Sequence, residues 1–404
     1  MTRVSATPFA WGALGSETGS MVDESIRRVL IYRLGSLGDM AVAVPALRLV
    51  ARAFPEAERR MLTNVPVHAK APAAAAVLEG SGLVQGYFRY AVGTRNAWEL
   101  GRLALQLRLW RPQVVVYLAA ARGVSVAERD VRFFRLCGAR RVIGAPLTPA
   151  LQANFYGEEP GSAGAQARLF TGELETEAAR LARCVAELGD AALDQPASWS
   201  LGLTAAERER AAAAIGSAAG AMPPVAVSVG TKVQAKDWGR ENWRELLRRT
   251  APLAPGRGLL LLGAPEEAEA SAFAAEGWRA GGGGPVVNLC GRLSPRESAA
   301  ALEQACVFLG HDSGPMHLAA SVGTPVVAIF AARNIPRQWF PAGAGNGVVY
   351  HRVECWGCGL ETCLEQGKKC LVSIEVGEVL DAVRRVLDRV QAGYREQAGA
   401  RIEG

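Results

Sequence analysis

Lysine is scarce in this chain of 404 residues: there are five, against 40 arginines. No run of about 20 consecutive apolar residues occurs, which excludes a membrane-spanning helix. The longest tempting stretch, 41–44, ends at Pro45 and reads as buried helix. The first 25 residues lack a charged start followed by an apolar block, so no secretory signal is expected. The chain is expected to stay in the cytoplasm. There is no block of like charge and no interleaving of aromatic with basic residues, which argues against nucleic acid as a partner.

What is present suits a large folded protein. Half the residues are hydrophobic and 21% are charged, enough for a full core in each half and too apolar for disorder. The length implies two domains. Formal charge is +6, carried almost wholly by arginine. A GC-rich genome gives that bias; so does a need for guanidinium forks that grip phosphate or carboxylate. A phosphorylated or anionic substrate is the expected partner. Eight cysteines in a reducing compartment do not read as a disulfide framework. Cys137, Cys184, Cys290 and Cys306 are scattered and read as buried. Cys355, Cys358, Cys363 and Cys370 fall within sixteen residues and could hold structural zinc, stay reduced or staple the loop as disulfides.

Short β-branched runs alternate with alanine-rich helical stretches. Strands are expected at 29–33, 60–63, 84–87, 114–118 and 141–143, then at 225–229, 258–262, 286–289, 307–310 and 326–330. Between them lie helical patterns such as 98–110, where Leu100, Leu103, Leu107 and Trp110 recur at helical spacing. A helix is expected at 173–188 and a last one at 376–394. Strand–helix alternation implies parallel sheets covered on both faces. The reading is an α/β chain of two Rossmann-like domains, 26–200 and 201–404, preceded by a flexible extension, 1–25. The glycine- and acid-rich loop 157–164 lies near the join.

Four motifs carry chemistry. Arg33-Leu34-Gly35-Ser36-Leu37-Gly38-Asp39 follows the first strand, and Gly35, Ser36 and Gly38 form a turn that lets backbone amides approach an anion. Pro45 should start or kink the main helix, leaving Asp39 on a turn at the inter-domain edge; a simple helix-cap role for Asp39 is the other reading. Gly310-His311-Asp312-Ser313-Gly314-Pro315-Met316-His317 joins a strand to a helix, where Ser313 or Gly314 can cap and the free amides suit a diphosphate. Asp312 should then face hydroxyls rather than phosphates, and His317 faces either ligand or core. Thr231 and Lys236, on the loop after 225–229, suit phosphate. Glu267, or Glu266 in the other register, follows 258–262 and could bind ribose hydroxyls or merely begin a helix.

Together these segments resemble family 9 glycosyltransferases, the heptosyltransferases of lipopolysaccharide core synthesis and their relatives. RVLIYRLGSLGDMAVAVPALRLVARAFPEA is similar to that family's first strand, turn and helix. HDSGPMHLAASVGTPVVAIF is similar to its nucleotide-sugar segment, and GTKVQAKDW to its second-domain entry. The resemblance implies the GT-B fold, two Rossmann-like domains with parallel sheets facing across a cleft. It also implies inverting, metal-independent transfer from a nucleotide-diphosphate sugar, usually ADP-heptose, with no cofactor. The absence of Asp-x-Asp agrees with that chemistry.

Residue by residue, the resemblance makes Asp39 the catalytic base and Thr231 and Lys236 diphosphate contacts. Glu267 becomes a ribose contact, and Asp312, Ser313, Gly314 and His317 the donor loop. It implies a lipid-linked saccharide acceptor, with peripheral contact at the inner membrane left open. Arg122 is the candidate for an acceptor anion, or a solvated loop arginine. Ala331-Ala332-Arg333 departs from the family's usual Gly-Pro-Thr. A sugar-nucleotide 2-epimerase of the same architecture and a catalytically silent nucleotide-sugar-binding protein are the competing readings.

Overall fold

The computed structural model describes residues 23–65, 74–153, 155–156, 173–218, 220 and 222–400. Residues 1–22 of the expected extension and the loop 157–164 lie outside the described residues. The first sheet is parallel and holds β1 (Arg28–Tyr32), β2 (Glu58–Asn64), β3 (Gly86–Tyr90), β4 (Val114–Tyr117) and β5 (Arg141–Ile143), in the order β3-β2-β1-β4-β5. A two-residue antiparallel ladder, β6 (Phe155–Tyr156) with β7 (Glu173–Leu174), follows. The second sheet holds β8 (Val225–Ser228), β9 (Leu259–Leu261), β10 (Val286–Asn288), β11 (Val307–His311), β12 (Val326–Phe330) and β13 (Gly347–Tyr350). Its order, β10-β9-β8-β11-β12-β13, repeats the winding of the first and adds an edge strand. Central strands such as Val114–Tyr117 and Val225–Ser228 are buried along their whole length, as parallel strands covered on both faces require.

In both sheets the winding reverses at a central pair, β1 beside β4 and β8 beside β11. Ligands in such sheets sit at this reversal, beyond the carboxyl strand ends. The helices that follow β1 and β11, Leu37–Ala53 and Gly314–Ser321, pack on each other. Leu37, Met40 and Val44 from one and Met316, Leu318 and Ala319 from the other belong to a single buried cluster. Each large apolar side chain so buried contributes about 1.5–3 kcal/mol.

Pro45 does not start the main helix: the helix Leu37–Ala53 runs through it, with Pro45 buried in its interior. Proline removes an amide donor and crowds the preceding turn. Buried packing on both sides of this helix outweighs that cost, so Asp39 lies in the first turn of a long helix. The helix expected at 173–188 is shorter, Glu177–Cys184 with a 3-10 turn Ala186–Leu188, and the last helix is longer, Val376–Ala400. A second tie joins the halves at Arg296, whose guanidinium is 5% exposed. It donates to the carbonyls of Val77 (3.0 Å), Leu201 (2.9 Å) and Gly202 (2.9 Å), and to both oxygens of Glu207 (2.6 and 3.0 Å).

Candidate active site

β1 delivers the chain into a tight turn that only glycine can make. Gly35 has φ +123°, and a Cβ there would lie 2.2 Å from Cγ of Asp39. Its amide donates to Asn64 Oδ1 at 2.8 Å. Ser36 stands at the helix N-cap and its amide donates to Asp39 Oδ2 at 2.8 Å. The cap role foreseen for Asp39 is therefore real; its other oxygen, Oδ1, accepts no hydrogen bond among the described residues, lies 3.8 Å from Nη2 of Arg33, and the side chain keeps 26% of its surface open.

Beneath this turn lies an arginine that the sequence did not single out. Arg33 is fully buried. It donates to the Asp39 carbonyl from Nε (3.1 Å) and Nη2 (2.8 Å) and to the Leu118 carbonyl from Nη1 (2.6 Å). Nη1 also lies 3.5 Å from Oε1 of Glu177, which Arg180 grips with two nitrogens at 2.9 and 2.7 Å. Glu177 and Arg180 are each 1% exposed. Buried charges persist only when paired and hydrogen-bonded, and this network satisfies both conditions.

From the second sheet, Lys236 Nζ lies 2.6 Å from Asp312 Oδ2 and donates to the Asp312 carbonyl at 3.1 Å. Asn334 donates to the same carboxylate at 3.1 Å. Asp312 is 7% exposed, with Oδ2 bound to a lysine and an amide. Ser313 takes the N-cap of Gly314–Ser321, and its Oγ is buried without a hydrogen-bond partner. An unpaired buried hydroxyl is costly, and here it stands beside the free amides of a helix N-terminus.

His317 closes the space between the halves. Burial lowers its pKa to about 4; Asp312 and Asp39 oppose the shift and Lys236 adds to it. The ring is therefore neutral near pH 7, and Asp39 from the first half and Asp312 and Lys236 from the second all act on it. It meets Trp339 edge-on, with ring centroids 6.1 Å apart. A Cβ on Gly38 would come within 2.9 Å of the His317 ring, and one on Gly314 within 2.7 Å of Leu37. Glycine at these two points lets the helix ends abut. His311, by contrast, is a core residue: its Nε2 accepts from the Trp238 amide (3.2 Å) and the Trp243 indole (3.3 Å).

Thr231 is half-buried and bonds only within its own turn, to Val233 at 3.3 Å. Glu267 is half-buried and packs against Gly230 and Gly263, where a Cβ would strike its carboxylate at 2.2 Å or closer, while Glu266 is exposed. Arg122 stands apart from this cluster. It donates to Asp130 (2.8 Å), which Arg129 also grips, and to Tyr32 (2.9 Å).

The four clustered cysteines line one pocket with Ala235 and Arg333. All are free thiols, and among the described residues no group of three or more His, Cys, Asp or Glu side chains is disposed to hold a metal. Their loop covers the Lys236 segment: Ala235 donates to the Glu361 carbonyl and Lys368 to the Asp237 carbonyl. The Ala332 and Arg333 carbonyls accept from the amides of Gly357 and Gly359 in this same loop, and the Arg333 side chain donates to the carbonyls of Leu360 and Gly359.

Two Rossmann-like units whose reversal points meet across a cleft define a GT-B protein. The profile of Glycosyltransferase family 9 (heptosyltransferase) matches residues 165–369, half of the chain, and the protein belongs to that family. It is similar to lipopolysaccharide heptosyltransferase 3 of Escherichia coli K12, with 31% identity over 113 residues, 26% of this chain and 29% of that protein. Lipooligosaccharide heptosyltransferase 2 of Campylobacter jejuni gives 28% over 103 residues, 25% of this chain and 32% of that protein. The matches thus span under a third of these curated relatives. Solved structures share the fold along nearly the whole chain. A family 9 glycosyltransferase from Veillonella parvula has a TM-score of 0.64 at 17% identity, covering 90% of this chain and 98% of its own. The ADP-heptose heptosyltransferase II of Escherichia coli has 0.58 at 16%, covering 90% and 99%. No helix among the described residues is long and apolar enough to cross a membrane.

Proposed function

We propose that this protein transfers a sugar, heptose from ADP-heptose in the first instance, to a lipid-linked saccharide of the lipopolysaccharide core or a related surface glycan. Transfer inverts the anomeric centre and needs no metal. In this reading 201–404 holds the donor and 26–200 the acceptor. The observation that carries it is the convergence of Asp39 from one sheet with Lys236, Ser313 and His317 from the other. The acceptor hydroxyl attacks the anomeric carbon opposite the diphosphate, and Oδ1 of Asp39, held beside Arg33 at 3.8 Å, takes its proton. Charge developing on the departing diphosphate is met by Lys236, the Ser313 hydroxyl and the amides opening Gly314–Ser321. Glu267 supports ribose and Thr231 the phosphate edge. Arg122, which shares Asp130 with Arg129, remains the candidate for an acceptor anion.

The test is incubation with a panel of nucleotide-diphosphate sugars and a core saccharide acceptor, with and without chelator. The expected result is nucleotide release with glycosylated acceptor of inverted configuration, unaffected by chelator. An epimerised donor, or activity that magnesium or manganese alone restores, would overturn the reading.

A further inference from the structure

The helix Ala97–Trp110 is apolar on two opposite sides. Leu103 and Leu107 are buried against the first sheet. Trp98, Leu105 and Leu109, spaced by seven and four residues, share the outward side and are 79%, 57% and 71% exposed. Leu136, 74% exposed at the end of the next helix, adjoins them: Arg108 donates to its carbonyl at 3.0 Å. Exposed leucines scattered singly need no explanation, whereas four large apolar side chains on neighbouring helix faces do.

The charge around this patch says what it meets. Residues 95–140 carry nine arginines against three acids, a net charge equal to the +6 of the whole chain, which is otherwise balanced. Of those acids, Asp130 is buried and ion-paired with Arg122 and Arg129, and Glu128 pairs with Arg132. Tryptophan and leucine set among arginines match the boundary between acyl chains and anionic headgroups. The placement fits as well. Tyr90, at the carboxyl end of β3, shares a hydrogen bond of 2.9 Å with Tyr32 at the end of β1. The chain then enters this helix from the same sheet edge that carries the Asp39 turn, so Trp98 is at the end nearer the site.

We infer that the outward face of Ala97–Trp110, with Leu136, docks the protein on an anionic lipid surface. The inference deepens the proposed function, on whose lipid-linked acceptor it rests, by naming the face that meets the membrane and the sign of charge it selects. Docking there sets the first sheet's cleft edge against the surface that holds the acceptor.

The test is co-sedimentation of the full chain with phosphatidylcholine vesicles, with and without phosphatidylglycerol. The variants are the triple change Trp98→Ser, Leu105→Ser, Leu109→Ser, and Arg102→Glu. Binding is expected to the anionic vesicles alone. It should weaken about tenfold or more in the serine variant. Arg102→Glu should weaken it about fivefold or more, and added salt should weaken it too. Nucleoside diphosphate binding, measured on the same preparations, stays unchanged and reports an intact fold. Absence of binding to anionic vesicles, or equal binding by both variants, would overturn the inference. Self-association that the serine variant abolishes would overturn it too, assigning the patch to a second copy. Transfer to a delipidated acceptor reads the proposed function separately: its persistence without vesicle binding sinks the docking face alone, and its absence with vesicle binding leaves the docking face standing.

Discussion

Arg33 decides where Asp39 sits. Its flat fork reaches the Asp39 and Leu118 carbonyls and Glu177 together, from a fully buried position. Lysine in its place keeps the charge but offers donors from one atom only. Arg33→Lys should therefore fold, bind donor with unchanged affinity, and lower kcat about tenfold through loosened placement of the acid. Steady-state kinetics at saturating donor checks this, and an unchanged kcat would return Arg33 to a purely structural role. The two buried histidines bear on stability instead. Burial, the largest cause in each, holds His311 and His317 at about 4, below their ordinary 6.5. The unfolded chain takes up these protons first, so stability is full above about pH 6.5 and falls as pH drops toward 4. Each histidine contributes up to about 3 kcal/mol to that loss. Denaturant midpoints measured from neutral pH to near pH 5 should show this decline, and His317→Gln should flatten it.

Most strands could be read from the sequence because buried parallel strands are short continuous apolar runs: 326–330 and 141–143 match to the residue. The strand expected at 84–87 is Gly86–Tyr90, since apolar Leu83 and Val84 pack as an approach to it, and β13 was missed because Gly347–Tyr350 follows an irregular stretch. Of the candidate site, the residues that follow strand ends, Asp39, Lys236 and Ser313, could be nominated from the sequence. Arg33–Glu177 was not, because its partners lie 144 positions apart and no local period links them. Glycines sort by contact rather than by sequence. Gly38 and Gly377 both stand second in their helices, yet a Cβ would meet His317 at 2.9 Å in the first case and nothing within 4 Å in the second. Gly38→Ala should destabilise by about 1–3 kcal/mol through overpacking. Gly377→Ala should be neutral or stabilise by up to about 1 kcal/mol. Thermal midpoints of the pair measure this; equal shifts would deny that the helix ends abut.

At the scale of the molecule, neither sheet alone supplies the candidate site. The first supplies an acid on a glycine turn, the second a lysine, an unpaired hydroxyl and a helix N-terminus. The abutting helices and the Arg296 tie hold these together. This division of labour makes a separable claim: the nucleotide should bind without Asp39, and chemistry should fail without it. Sugar transfer by Asp39→Asn at saturating donor, with nucleoside diphosphate affinity measured on the same sample, tests it most directly. The account predicts affinity within about twofold of the parent and turnover lowered about 100-fold or more. Turnover near that of the parent, or affinity lost in step with turnover, would contradict it.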